Sequence, residues 1–148
     1  LTGAWPRRIV LVWSLVPAVV GSVRAADPAA FDAARRSLLE RYAASVRQQD
    51  PTFAGFSAPA GRAFFLARPA AAQPATPSCS SCHTTDPRRP GQTRAGKEIA
   101  PMAVSVTPSR FTDPDKVEQW FRRNCRTVYG RPCTAREKGD YIAYMASQ

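Results

Sequence analysis

Cys79-Ser80-Ser81-Cys82-His83 is the stretch that decides how the rest of the chain is read. Two thiols three positions apart, with an imidazole directly after the second, have the spacing that attaches a c-type haem. In that chemistry the thiols add across the porphyrin vinyl groups as thioethers. The adjacent histidine then lies beneath the ring as the proximal iron ligand. His83 is the sole histidine of the sequence. A lone histidine is often a plain surface or core side chain, but the two cysteines beside this one outweigh that reading. Cys79 and Cys82 are therefore predicted as the haem attachment points and His83 as an iron ligand.

Haem of this type is attached outside the cytoplasm, and the first residues agree. Arg7 and Arg8, the apolar run over residues 9–20 and the small-residue exit Val23-Arg24-Ala25-Ala26 read as a cleaved secretory signal spanning residues 1–26. The run holds about twelve residues and contains Pro17, short of the ~20 that a membrane span needs. No stable membrane insertion is expected once the signal is removed. The mature part is predicted to be one periplasmic domain.

The whole sequence carries 21 basic and 11 acidic side chains, a net charge of +10. The arginines are scattered, without aromatics interleaved in a compact motif, so nucleic acid is not an expected partner. In an exported redox protein such charge steers association with an acidic redox partner.

The second cysteine pair is Cys125 and Cys133. Free thiols seldom persist in an oxidising compartment, and Gly130 and Pro132 let the seven intervening residues fold back. A disulfide is predicted, contributing roughly 2–3 kcal/mol and fixing the backbone beside Asn124. Two buried thiols are the alternative.

Asp27-Pro28 opens a helix, Asp as N-cap and Pro in the first turn. Phe31, Ala34, Leu38, Tyr42 and Val46 then mark an amphipathic stripe to about Gln49. A short helix is predicted over residues 60–68, an irregular connector over 69–78 and a surface loop over 84–96. The apolar stretch 99–104 is expected to line the cofactor. Asp113-Pro114 opens another helix, with Val117, Trp120, Phe121 and Asn124 on one face. Thr134 and Glu137 form a capping box for a last helix that packs Tyr141, Ile142, Tyr144 and Met145 inward. No strand is predicted, and the fold class is all-α.

With one histidine, the second axial position of the iron needs another residue type. Met102, 19 residues after His83, Met145 and Asn124 are the candidates that these patterns leave open.

The stretches Arg110-Phe111-Thr112-Asp113, Trp120-Phe121-Arg122-Arg123-Asn124-Cys125 and Gly130-Arg131-Pro132-Cys133-Thr134 through Asp140 resemble the sphaeroides haem protein group of class I cytochrome c-like proteins. So do Phe53 to Ser57, Gly61 to Phe65 and Gly96 to Pro101. The resemblance covers essentially the whole mature chain and implies a cytochrome c domain over residues 51–148, preceded by an extra N-terminal helix over 27–50. It implies one covalent haem c, Asn124 as distal iron ligand and a Cys125–Cys133 disulfide. Met102 departs from the group, which has an aliphatic residue there, and stands as the alternative distal ligand.

An amide oxygen is a hard, weak-field donor that suits ferric iron better than ferrous. High-spin iron and loss of Asn124 on reduction are therefore expected, leaving a site for small ligands such as oxygen or nitric oxide. The group's association with dihaem cytochromes c and membrane cytochromes b implies such proteins as redox partners. The functional expectation is electron transfer with redox-dependent binding of small ligands. The alternative is an enzyme, a haem-dependent reductase of oxygen, peroxide or nitric oxide, although no second imidazole remains for acid–base work. A zinc module using the four cysteines ranks below both. A dithiol oxidoreductase is set aside, because a proline-rich connector rather than a strand precedes the motif.

Overall fold

The four long helices each begin at a side-chain oxygen that accepts a hydrogen bond from a first-turn backbone N–H. The computed structural model describes residues 27–148, so the segment read as a secretory signal lies outside the described residues. Helix α1 (Pro28–Arg47) starts at Asp27, whose carboxylate accepts from Ala29 N at 2.9 Å. Helix α2 (Ala58–Leu66) starts at Ser57, whose hydroxyl accepts from Ala60 N at 3.2 Å. This cap moves the helix two residues ahead of the expected 60–68. Helix α3 (Ser80–His83) is the single turn carrying the cysteines and histidine. Helix α4 (Pro114–Tyr129) begins at Asp113 and ends at left-handed Gly130. Helix α5 (Ala135–Ala146) carries the expected box, Thr134 Oγ1 accepting from Glu137 N while Glu137 accepts from Thr134 N.

Between α3 and α4 two residue pairs form a strand ladder that the sequence reading did not foresee. β1 (Gly91–Gln92) and β2 (Glu98–Ile99) run antiparallel, Gly91 opposite Ile99. Strands this short have no alternating pattern to read. They exist because the Thr93–Lys97 turn closes on itself, Thr93 N donating to Lys97 O at 2.8 Å. The fold remains all-α.

The core lies where α2 and α1 pack against α5. Gly61 lets α2 approach α5 closely, since a Cβ there would collide with the Asp140 carbonyl and lie 2.9 Å from Tyr144 Cβ. Phe65, Leu38, Ile142 and Met145 are enclosed around that crossing. The expected inward face of α5 is all buried.

Helix α1 is rotated slightly from expectation. Arg35 and Ala43 join Leu38, Tyr42 and Val46 in the buried stripe, and Phe31 and Ala34 are only half-buried. Arg35 can be buried because its guanidinium finds acceptors, donating to Pro108 O at 2.6 Å, to Arg110 O at 3.2 Å and to Asp32. Tyr42 OH donates to Glu118 of α4 at 2.5 Å, and Lys138 of α5 donates to the other carboxylate oxygen at 2.7 Å. Burial, then the bond to Glu118, pushes the Tyr42 phenol well above its ordinary value. Burial alone would raise Glu118, but Lys138 and Tyr42 outweigh it and hold the carboxyl below the usual range.

On α4 the buried residues are Val117, Phe121, Cys125 and Val128. Trp120 and Asn124, expected on the inward face, are exposed, Trp120 to 53 %. The apolar stripe follows the i, i+4, i+8, i+11 row, and positions 120 and 124 fall on its flank. There Trp120 lies under the Arg123 guanidinium, 5.8 Å from the ring centroid.

Candidate haem site

The α3 turn is shaped by its own serines. Ser78 N donates to Ser81 Oγ at 3.1 Å, and the Ser78 hydroxyl pairs with those of Ser80 and Ser81. Cys79 and Cys82 are free thiols, and their i, i+3 spacing puts them on one side of the turn. Cys79 packs against the core cluster, and burial pushes its thiol up to about 11. The hairpin closes on this turn through Gly91, where a Cβ would collide with the Cys82 carbonyl.

Thr84, directly after His83, has φ +60 and ψ +171. That region is essentially reserved for glycine and costs on the order of 1–3 kcal/mol for a side-chain-bearing residue. Its hydroxyl donates to Asp86 O at 2.8 Å. The chain then brings the Pro87 carbonyl to Met102 N and Ala103 N, both at 2.9 Å. Met102 is thus tied to the loop that follows His83 and is 8 % exposed in the core cluster. Met145 is fully enclosed, its carbonyl accepting from Val104 N at 3.0 Å.

His83 closes the α3 turn, its backbone N–H donating to the Cys79 carbonyl at 3.2 Å. Its Nδ1 is buried and meets no hydrogen-bond partner among the described residues. Burial, with the nearby Arg110 charge second, holds the imidazole down to about 4, so the ring is neutral near pH 7, the form that ligates metal. Arg110 donates from Nε to Pro101 O at 3.1 Å and from Nη2 to Ala100 O.

The core cluster against which Cys79 packs holds an aromatic group centred on Tyr141. Its ring lies 5.5 Å from Phe121, 6.0 Å from Phe65 and Phe111, and 6.4 Å from Phe64. Phe64 stacks on Tyr129 at 4.4 Å, and Tyr129 OH donates to the Phe64 carbonyl at 2.6 Å. Burial raises both phenols above their ordinary values, and the neighbouring Cys79 adds to the rise.

Asn124 lies on α4 beside its buried row, with its carboxamide hydrogen-bonded to no described residue. Next to it Cys125 is joined to Cys133, Cα atoms 5.7 Å apart, which ties the end of α4 to the approach of α5. With that pair bonded, no four-sulfur zinc site remains. Among the described residues no group of three or more His, Cys, Asp or Glu could hold a metal ion.

The residues fit a covalent haem. Two free thiols share one turn, a buried neutral imidazole keeps an unpartnered nitrogen, and aromatic rings supply an apolar wall. The sequence patterns assign no role to Arg110 or Arg35. No local pattern distinguishes a buried arginine from the many that are solvated.

A helical domain organised around a Cys-x-x-Cys-His turn defines the class of c-type cytochromes. The family model described as a domain of unknown function, DUF1924, matches residues 51–145. Cytochrome c-type protein SHP of Cereibacter sphaeroides is 45 % identical over 130 residues, 88 % of this chain and 96 % of that protein. Its oxidised structure, described as an oxygen-binding cytochrome c, has a TM-score of 0.70 at 47 % identity, covering 77 % of this chain and 96 % of the other. Cytochrome c'' of Methylophilus methylotrophus is 33 % identical over 132 residues, 88 % of this chain and 92 % of that protein. Its solution structure, described as bearing on haem-ligand detachment, has a TM-score of 0.66, covering 77 % and 93 %. The chain belongs to the SHP family of c-type cytochromes and carries covalently bound haem c. No described helix is long and apolar enough to cross a membrane.

Proposed function

We propose that this protein is a periplasmic monohaem electron carrier whose distal ligand, Asn124, is held in the ferric state and released on reduction, admitting a small ligand such as oxygen or nitric oxide. Cys79 and Cys82 hold the haem by thioethers, and His83 is the proximal ligand. When bound, the haem supplies one-electron exchange and an axial position for a diatomic molecule.

The observation that carries the reading is the state of Asn124. Its carboxamide has no hydrogen-bond partner among the described residues, and the Cys125–Cys133 disulfide ties down the backbone beside it. With the backbone tied down and no competing protein bond, the amide oxygen is available to bond the iron or let go. Asn124 offers a hard donor that loses out as the metal softens, and the freed amide remains close enough to hydrogen-bond an incoming ligand. Met102 is the weaker candidate, because its amide is tied to Pro87 and its side chain is packed in the core. The relatives support the reading, one described as oxygen-binding and the other studied for haem-ligand detachment. The basic net charge suits an acidic redox partner, for which a dihaem cytochrome c working with a membrane cytochrome b is our choice.

Optical and paramagnetic resonance spectra of wild type, Asn124→Ala and Met102→Leu, in both oxidation states and with carbon monoxide, test this. Asn124→Ala should alter the ferric spectrum and leave the ferrous one nearly unchanged, and wild type should bind carbon monoxide rapidly once reduced. A ferric spectrum altered by Met102→Leu and indifferent to Asn124→Ala would reverse the ligand assignment.

A further inference from the structure

We propose that Arg123 is a specificity-determining residue of the haem site, its guanidinium hydrogen-bonding a small inorganic anion, such as fluoride or nitrite, that takes the place of Asn124 on ferric iron. The inference rests on Asn124 as the distal ligand and adds the charge class of the ligand that replaces it.

Each Cα–Cβ bond of a helix tilts towards the N-terminus, so a long side chain covers the turn before its own Cα. Arg123 and Asn124 follow Trp120 by three and four positions, the two spacings that bring side chains together on a helix surface. Both therefore reach back over the turn that carries the indole. For Arg123 the contact is direct, its guanidinium carbon standing over the Trp120 ring at 5.8 Å from the centroid. Guanidinium and carboxamide thus flank one aromatic side chain.

The two neighbouring arginines have other work. Arg122 lines a surface depression with Asp113, Asp115 and Glu118, so its charge is met by carboxylates. Arg126 stands in the last turn of α4, where a cation meets the free carbonyls of the helix end. Arg123 pairs with no carboxylate among the described residues, and α4 carries no acidic side chain from Gln119 to Tyr129. An aromatic face attracts a guanidinium without using its N–H donors. Arg123 is therefore held in place while its in-plane fork, the geometry suited to an anion, remains unused.

The exchange moves no electron, since the neutral amide oxygen leaves ferric iron and the anion takes its place. A positive field beside the site favours the charged ligand over a neutral one. Arg123 gives that ligand a charge-assisted hydrogen bond that a ligand without negative charge draws on far less.

The test is spectral titration of the ferric, haem-loaded protein with fluoride, an anion, and with imidazole, a neutral ligand, at constant ionic strength near neutral pH. Wild type, Arg123→Gln and Arg123→Lys are compared, each also in the Asn124→Ala background, where displacement of the amide no longer enters. Arg123→Gln should weaken fluoride about tenfold, in line with a charge-assisted hydrogen bond at a partly exposed site, and leave imidazole unchanged. Arg123→Lys keeps the charge but loses the fork, so its loss should be smaller. If the glutamine variant fails to acquire haem, the lysine variant carries the comparison alone. A fluoride-to-imidazole affinity ratio equal to wild type in whichever variant matures overturns the proposal, whether both affinities hold or both fall together as a structural role would make them. So does a ferric iron that takes imidazole and refuses fluoride in every background. Failure of the underlying ligand assignment reads out elsewhere, in an unliganded ferric spectrum that Asn124→Ala does not alter.

Discussion

The α1 side of the molecule and the surroundings of His83 both bring polar side chains inward, but they satisfy them differently. Between α1, α4 and α5, Tyr42 and Lys138 each take one oxygen of Glu118, and Arg35 finds a carboxylate and two carbonyls. Around His83, Nδ1 has no described partner, Arg110 has no carboxylate, and both side-chain-bearing backbone outliers lie next to these residues. A closed polar network needs nothing further and serves as scaffold. Buried groups left open mark where a bound group completes the structure.

The strongest way to break the open side is to remove its attachment points. The double variant Cys79→Ala, Cys82→Ala, made in a host that matures c-type cytochromes, should lose covalent haem entirely, read as haem staining on a denaturing gel. Retained staining would refute the assignment of these thiols.

The scaffold side breaks at the crossing of α2 and α5. Gly61→Ala forces a methyl against the Asp140 carbonyl and should cost about 3 kcal/mol, read as a lowered denaturation midpoint. A midpoint within error of wild type would mean that the helices separate there without penalty.

The smallest expected effect sharpens the comparison. Glu118 is held below its ordinary 4.5, so the stability it contributes is complete above that value and is lost as the pH falls through its lowered folded pKa. The carboxylate is partly exposed and screened, so Glu118→Gln should cost about 1 kcal/mol at neutral pH. It should also flatten the acid limb of the stability curve. An acid limb as steep in the variant as in wild type would place the acid sensitivity elsewhere.

Local chemistry was readable in advance where it is written over a few neighbouring residues. Asp-Pro and Thr-x-x-Glu announced helix starts because a cap needs only a side-chain oxygen within three residues of its amide. The inward face of α5 followed from helical spacing. The two-residue strands did not, since a pairing that depends on one turn closing has no periodicity. Helical spacing puts Trp120 and Asn124 on one face with Val117 and Phe121, but does not say which of two adjacent rows meets the protein core, here Val117, Phe121, Cys125 and Val128.

By itself, then, the sequence determined the all-α class, the helix caps and the Cys-x-x-Cys-His turn, all of which act over a single helical turn. Tertiary structure decided that Met102 is bound to the Pro87 loop and that Arg35 and Arg110, 75 residues apart, meet through a carbonyl. These depend on which distant backbone groups come within hydrogen-bonding range, and only the packing of α1, α2 and α5 brings them there.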